Sequence, residues 1–168
     1  MWRIIEAYDQ INAWIRASQG QFIELDNGES YRFMRKRTFN GQELEAFEQE
    51  SGIELPAEYK RFLIGVGGVE LFVGPLTAGI EVLGPDEVQA FSSQVFEGYG
   101  KDLYPELLLG ISIPKLGHFG GFRPGSERDE RFGVFYPEVP PELWIEECEF
   151  GAFDDWVANL VESRGRTI

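Results

Sequence analysis

The chain has one histidine, His118, and one cysteine, Cys148, in 168 residues. Each scarcity excludes a class of chemistry. A single cysteine cannot form an internal disulfide and suits a reducing compartment, so a cytoplasmic protein is expected. Zinc sites need clustered Cys and His, and one of each cannot build one. A nucleophilic triad needs a base, and nothing in the sequence supplies partners for His118 in its glycine loop, so a packing or surface histidine is the better reading. Cys148 sits between Glu147 and Glu149, anions that raise a thiol pKa rather than activate it. No apolar run approaches the roughly 20 residues that span a bilayer. The first residues show no basic segment followed by an apolar stretch, so no signal peptide is expected. Cations are also scarce: 15 Lys and Arg stand against 29 Asp and Glu, a formal net charge of −14. That field disfavours nucleic acid and anionic membrane as partners; it favours a basic protein, or serves solubility alone.

What is present is a folded chain. Hydrophobic residues make up 43% and aromatics 14%, enough for a core, and the length fits one domain. Ile4, Tyr8, Ile11 and Ile15 recur at helical spacing, and Gly20 stops that helix. Phe22–Leu25 and Tyr31–Met34 flank the turn-prone Asp26-Asn27-Gly28 and predict a hairpin. Arg35-Lys36-Arg37 is the one dense basic cluster. It lacks local aromatic or glycine support for phosphate binding and reads as a solvated face pairing with Glu43 and Glu45.

The segment from Asn40 to Gly68 carries the clearest local signals. Asn40 with Glu43 forms a capping box, Leu44 and Phe47 share a helical face, and Gly52 suits a left-handed stop. Pro56 opens a second helix bearing Tyr59, Phe62 and Leu63 on one side. Gly65, Gly67 and Gly68 end it before a strand from Val69 to Val73, with Val69, Leu71 and Val73 alternating against Glu70 and Phe72.

Phe47-Glu48, Gly52-Ile53, Leu55-Pro56, Glu58-Tyr59-Lys60, Phe62-Leu63 and Gly67-Gly68 together resemble the signature of the SUKH superfamily. That group includes the Smi/Knr-type yeast cell-wall regulators and bacterial immunity proteins that neutralise toxins. The resemblance implies a SUKH-like domain over residues 40–168, with a central, mostly antiparallel or mixed sheet packed with helices. Residues 1–39 then form an N-terminal helix and hairpin extension. It also implies a protein-binding rather than catalytic role: an immunity protein with a cognate toxin as partner, plausibly a basic nuclease, or a regulatory module of the Smi/Knr type. The acidic residue often found beside the family's second glycine turn is absent, since Lys115 and His118 stand there.

Past the central segment, Ile80–Leu83 reads as a short strand. Pro85-Asp86-Glu87 starts a helix with Val88, Phe91 and Val95 on one face. Leu107–Ile113 reads as a central strand covered on both faces. Gly117–Phe122 reads as a glycine-aromatic loop, Glu127–Arg131 as a charged hairpin tip and Phe132–Tyr136 as a strand. Pro140-Pro141 reads as a stiff extended connection, and Phe153, Trp156, Val157, Leu160 and Val161 as a final helix. Helices and short strands alternate irregularly, an α+β pattern.

No phosphate cradle is evident. Gly65-Val66-Gly67-Gly68 follows a helix and precedes a strand, the reverse of a dinucleotide loop, and Glu127–Gly133 lacks the pattern of a calcium loop. No cofactor, metal or catalytic group is therefore expected. The binding candidates lie between Glu138 and Glu162, where there is no Lys or Arg. Glu142, Glu146, Glu147, Glu149, Asp154 and Asp155 surround Trp144 there, as steering charges surround an aromatic anchor. On an ideal strand Glu142, Trp144 and Glu146 share one face, which would expose the indole; the alternative makes Trp144 a core residue of an edge strand.

Overall fold

The computed structural model describes residues 2–114, 116–125 and 130–167. Lys115 and most of the Glu127–Arg131 run lie outside them. Six helices and eight strands are present among the described residues, and the strands form one antiparallel sheet in the order β1 to β8. The chain is α+β, as its irregular alternation implies.

Helix α1 (Trp2–Ser18) leads into the hairpin β1 (Ile23–Glu24) and β2 (Ser30–Arg37). Helix α2 (Gly41–Ser51) begins with the predicted box: Glu43 N–H donates to Asn40 Oδ1 at 2.9 Å, and Glu43 returns an acceptor to the Asn40 N–H. Gly52 ends it at φ 73°. Helix α3 (Ala57–Gly65) buries Tyr59, Phe62 and Leu63, and β3 (Gly68–Val73) follows. Gly67, at φ 112°, turns the chain beneath the Arg37 carbonyl, a place with no room for a side chain.

Then come β4 (Ile80–Val82), α4 (Pro85–Glu97), β5 (Leu108–Ile113), β6 (His118–Phe122) and β7 (Glu130–Phe135). Helix α5 (Pro141–Glu147), β8 (Gly151–Ala152) and α6 (Phe153–Glu162) complete the chain. Strand β5 is central and buried on both sides, with Leu108 and Ile111 in one apolar cluster and Leu109 in another. The larger cluster joins α1, α3 and α6 to the sheet. The smaller one gathers Phe96, Leu103, Leu107, Leu109, Phe135 and Trp144 beneath α5.

Three sequence expectations change. The Gly117–Phe122 loop is mostly strand. Its glycines make room inside the sheet: a Cβ at Gly120 would strike Ile111 and Phe132, and one at Gly121 would strike Leu109 and Phe135. Phe72, expected to face outward, is buried, because β3 carries an extra residue opposite β2 and Phe72 takes a φ of 53°. Finally, Pro140-Pro141 is not only an extended connection. Pro140 is the N-cap and Pro141 the first residue of α5.

Residues 2–39 share the sheet and core with the rest. Strand β2 pairs with β3, and Trp14, Tyr31, Phe33 and Phe72 form one aromatic group, with Trp14 stacked on Phe33 at 5.1 Å. Arg3 grips both carboxylate oxygens of Glu162 at 2.9 Å, and Arg164 does the same to Asp26. The basic cluster is also tied down. Arg35 donates to the Val66 carbonyl, Lys36 pairs with Glu81, and Arg37 bridges Glu43 and Asp86.

Candidate partner-binding surface at helix α5

Helix α5 is seven residues long and exists through its first turn and its inward face. Pro141 has no N–H to waste at the first position, and Glu142 complements the helix dipole. Pro141, Trp144 and Cys148 fall at i, i+3 and i+7 and turn towards the sheet, with Pro141 and Trp144 buried and Cys148 half-buried. Glu142, Leu143, Glu146 and Glu147 face outward.

The indole of Trp144 is 3% exposed. It stacks on Phe135 at 4.9 Å and 15°, touches Phe96, Phe119 and Tyr99, and donates Nε1–H to the Val139 carbonyl at 2.7 Å. Trp144 is therefore a core residue on a helix, not an exposed anchor on a strand. The strand face that would have exposed it does not form. With a 3.6-residue period, Glu142 and Glu146 stay together while Trp144 turns away from both.

The six acids divide into two groups. Glu142, Glu146, Glu147 and Glu149 are exposed around α5 and, among the described residues, form no ion pair. Asp154 and Asp155 open α6, which packs through Phe153 on Phe62, Phe122 and Phe132 in the other cluster. Phe132 and Phe135 are an odd number of residues apart on β7, so α6 and α5 lie on opposite faces of the sheet. Asp154 is held by Arg61 at 3.0 Å, its N–H donates to the buried Glu58, and Asp155 approaches Arg3 at 3.9 Å. The two aspartates belong to a charge-paired surface, separate from the unpaired glutamates.

A cleft of about 420 Å³ opens beside α5, lined by Val134, Phe135, Tyr136, Val139, Trp144, Glu147, Cys148 and Glu149. Tyr136 stands at its end, 48% exposed, with the His118 ring edge-on at 4.5 Å. Tyr99 and Leu143 are exposed nearby, and the Tyr99 hydroxyl donates to the Pro137 carbonyl at 3.3 Å. Sequence reasoning missed Tyr136 as a surface aromatic because it reads as the last residue of a strand. Pro137 immediately after it was the available signal, since it releases the chain from the sheet there.

The chain is 53% identical over 165 residues to Immunity protein RhsIB of Dickeya dadantii (strain 3937), covering 98% of this chain and 99% of that protein. The chain belongs to the RhsIB family of immunity proteins. No protein-family model matches it, and no solved structure matches it.

Within this RhsIB-family chain the α5 surface offers charge, aromatic area and a concave shape. Burial first, and the Glu149 carboxylate second, push the Cys148 thiol above its ordinary pKa, which keeps it a thiol at neutral pH. Among the described residues no group of three His, Cys, Asp or Glu could hold a metal ion, and no helix is long and apolar enough to cross a membrane. Its outward carboxylates, those of Glu142, Glu146, Glu147 and Glu149, form no ion pair among the described residues.

Proposed function

We propose that this protein is a SUKH-type immunity protein that binds a cognate toxin, a basic nuclease, and blocks it through the acidic α5 surface without chemistry of its own. The observation that carries the role is the likeness to an immunity protein over nearly the whole of both chains. The surface follows from the clustering of Glu142, Glu146, Glu147 and Glu149 with no ion pair among the described residues, in a chain of net charge −14. Enzymes that act on nucleic acid carry basic grooves for phosphate. An array of free carboxylates can occupy such a groove and exclude the substrate by charge and bulk. Trp144 supports that array from beneath, as the core residue that fixes α5 on the sheet. Neutralising a nuclease calls for action where nucleic acid is, and a chain with a single cysteine, Cys148, suits the cytoplasm.

The test uses the protein encoded by the gene adjacent to this one as the candidate toxin, with association and dissociation rates measured at low and high salt. Glu146→Lys with Glu147→Lys should lower the association rate about tenfold at low salt and much less at 0.5 M salt, with thermal stability unchanged. Wild-type affinity that ignores salt would refute the acidic surface. Failure of the candidate toxin to bind at all would remove the immunity role.

A further inference from the structure

The cleft beside α5 exists because one edge of the sheet is left unfinished. Strands β6 and β7 run in unbroken register, with Phe119, Gly120, Gly121 and Phe122 opposite Phe135, Val134, Gly133 and Phe132. One residue before this ladder, Arg123 N–H donates to the Arg131 carbonyl at 2.9 Å, which marks that pair as hydrogen-bonded. Bonded and non-bonded pairs alternate in an antiparallel ladder. Gly133 and Phe135 therefore bond to β6, whereas Phe132 and Val134 turn their N–H and C=O groups to the other side. Phe132 finds β8 there, opposite Gly151.

Among the described residues Val134 finds no such partner. By the same register its partner would be Glu149, but the chain has already left the sheet at Cys148 and Glu149 to join α5. Among the described residues no hydrogen bond reaches the Val134 backbone from residues 148–150. The Tyr136 carbonyl is used by the turn to Val139, while its N–H continues the open edge. An unpaired strand edge is a template for another strand, and this one lies in a cleft with Glu147 and Glu149 at its wall.

We propose that the β7 edge at Val134–Tyr136 is completed by a short extended segment of the toxin, with basic side chains alternating along it. The proposal rests on the immunity role and specifies how that surface grips its partner. Charge selects the occupant. A second copy of this chain would bring Glu147 and Glu149 against their own kind on a molecule already at −14, whereas a Lys- or Arg-bearing strand meets both carboxylates. The segment is short, because β8 closes the edge at Phe132 and Pro137 closes it beyond Tyr136. Backbone bonds supply the grip, and the position of the basic side chains supplies selectivity.

The experiment is residue-resolved amide exchange on the full chain, alone and saturated with the candidate toxin, the protein encoded by the adjacent gene. Exchange at Val134 and Tyr136 should slow at least tenfold on binding, while Gly133 and Phe135, already bonded to β6, change little. Val134→Pro removes the edge donor without touching the β6 ladder, and should weaken toxin binding at least tenfold. If that variant fails to fold, the exchange pattern of the wild-type protein decides. A toxin that binds with Val134 and Tyr136 exchanging as before would overturn strand addition and leave the immunity role standing. Absence of any binding would overturn both.

Discussion

Replacing Trp144 by alanine separates the two roles that an aromatic among acids could play. The indole is almost fully enclosed, stacked on Phe135 and bonded through Nε1 to Val139, and it fills the space between α5 and the sheet. Removing a buried tryptophan costs about 3–5 kcal/mol, counting lost contacts and the cavity left behind. Total stabilities run to only about 5–15 kcal/mol. For a chain of this size each kcal/mol moves Tm by about 2–4 °C, so Trp144→Ala should melt roughly 6–20 °C below wild type. Trp144→Phe keeps a ring against Phe135 and loses the hydrogen bond, so it should cost about 1–2 kcal/mol. Thermal unfolding followed by circular dichroism measures both. Toxin binding, read well below each variant's Tm, should remain detectable. A Trp144→Ala protein that melts within about 2 °C of wild type yet no longer binds the toxin would refute the argument, because that is the behaviour of an exposed anchor.

Gly67→Ala should destabilise by at least about 1–3 kcal/mol in urea unfolding, because a Cβ at φ 112° would press on the Arg37 carbonyl, backbone that cannot swing aside. Tyr59→Phe should cost about 1–3 kcal/mol, since it strands the buried Leu83 carbonyl that accepts from the hydroxyl. Burial first, and then Asp86 and Glu87, hold that hydroxyl well above its ordinary pKa, so ultraviolet titration of the folded protein should not ionise it in the usual tyrosine range. Asp26 is held below its ordinary value of 3.8, chiefly by its hydrogen bond to Arg164. A depressed carboxylate stabilises the fold above the unfolded value and loses that contribution as pH falls through the folded one. The Tm gap between wild type and Asp26→Asn should therefore be open at pH 7 and close below about pH 4. A gap unchanged at pH 2.5 would contradict the pairing.

The segment from Asn40 to Gly68 was legible because its signals are local. A capping box, a left-handed glycine, a proline at a helix entry and a 3.6-residue apolar stripe are satisfied within a few residues, and the structure repeats them. The α+β class and the inward face of the last helix were legible for the same reason. The region around α5 was not. Seven helical residues entered through Pro140-Pro141 are too few to display a helical period, and alternation on an imagined strand put Trp144 on the wrong side.

Sequence alone thus determined the caps and turns of residues 40–68, which helical faces are apolar, and that Glu138–Glu162 carries acids without Lys or Arg. Tertiary structure decided what those residues do for one another. It buried Trp144 under α5, assigned Asp154 and Asp155 to partners on the opposite face, and left four glutamates free. It drew residues 2–39 into the shared sheet and core through Trp14, Phe33 and Phe72. Local propensity depends on neighbours along the chain, whereas burial, charge pairing and an unfinished strand edge depend on groups brought together from distant positions. Only the folded chain shows that β8 stops short of Val134, leaving an open edge beside the acids.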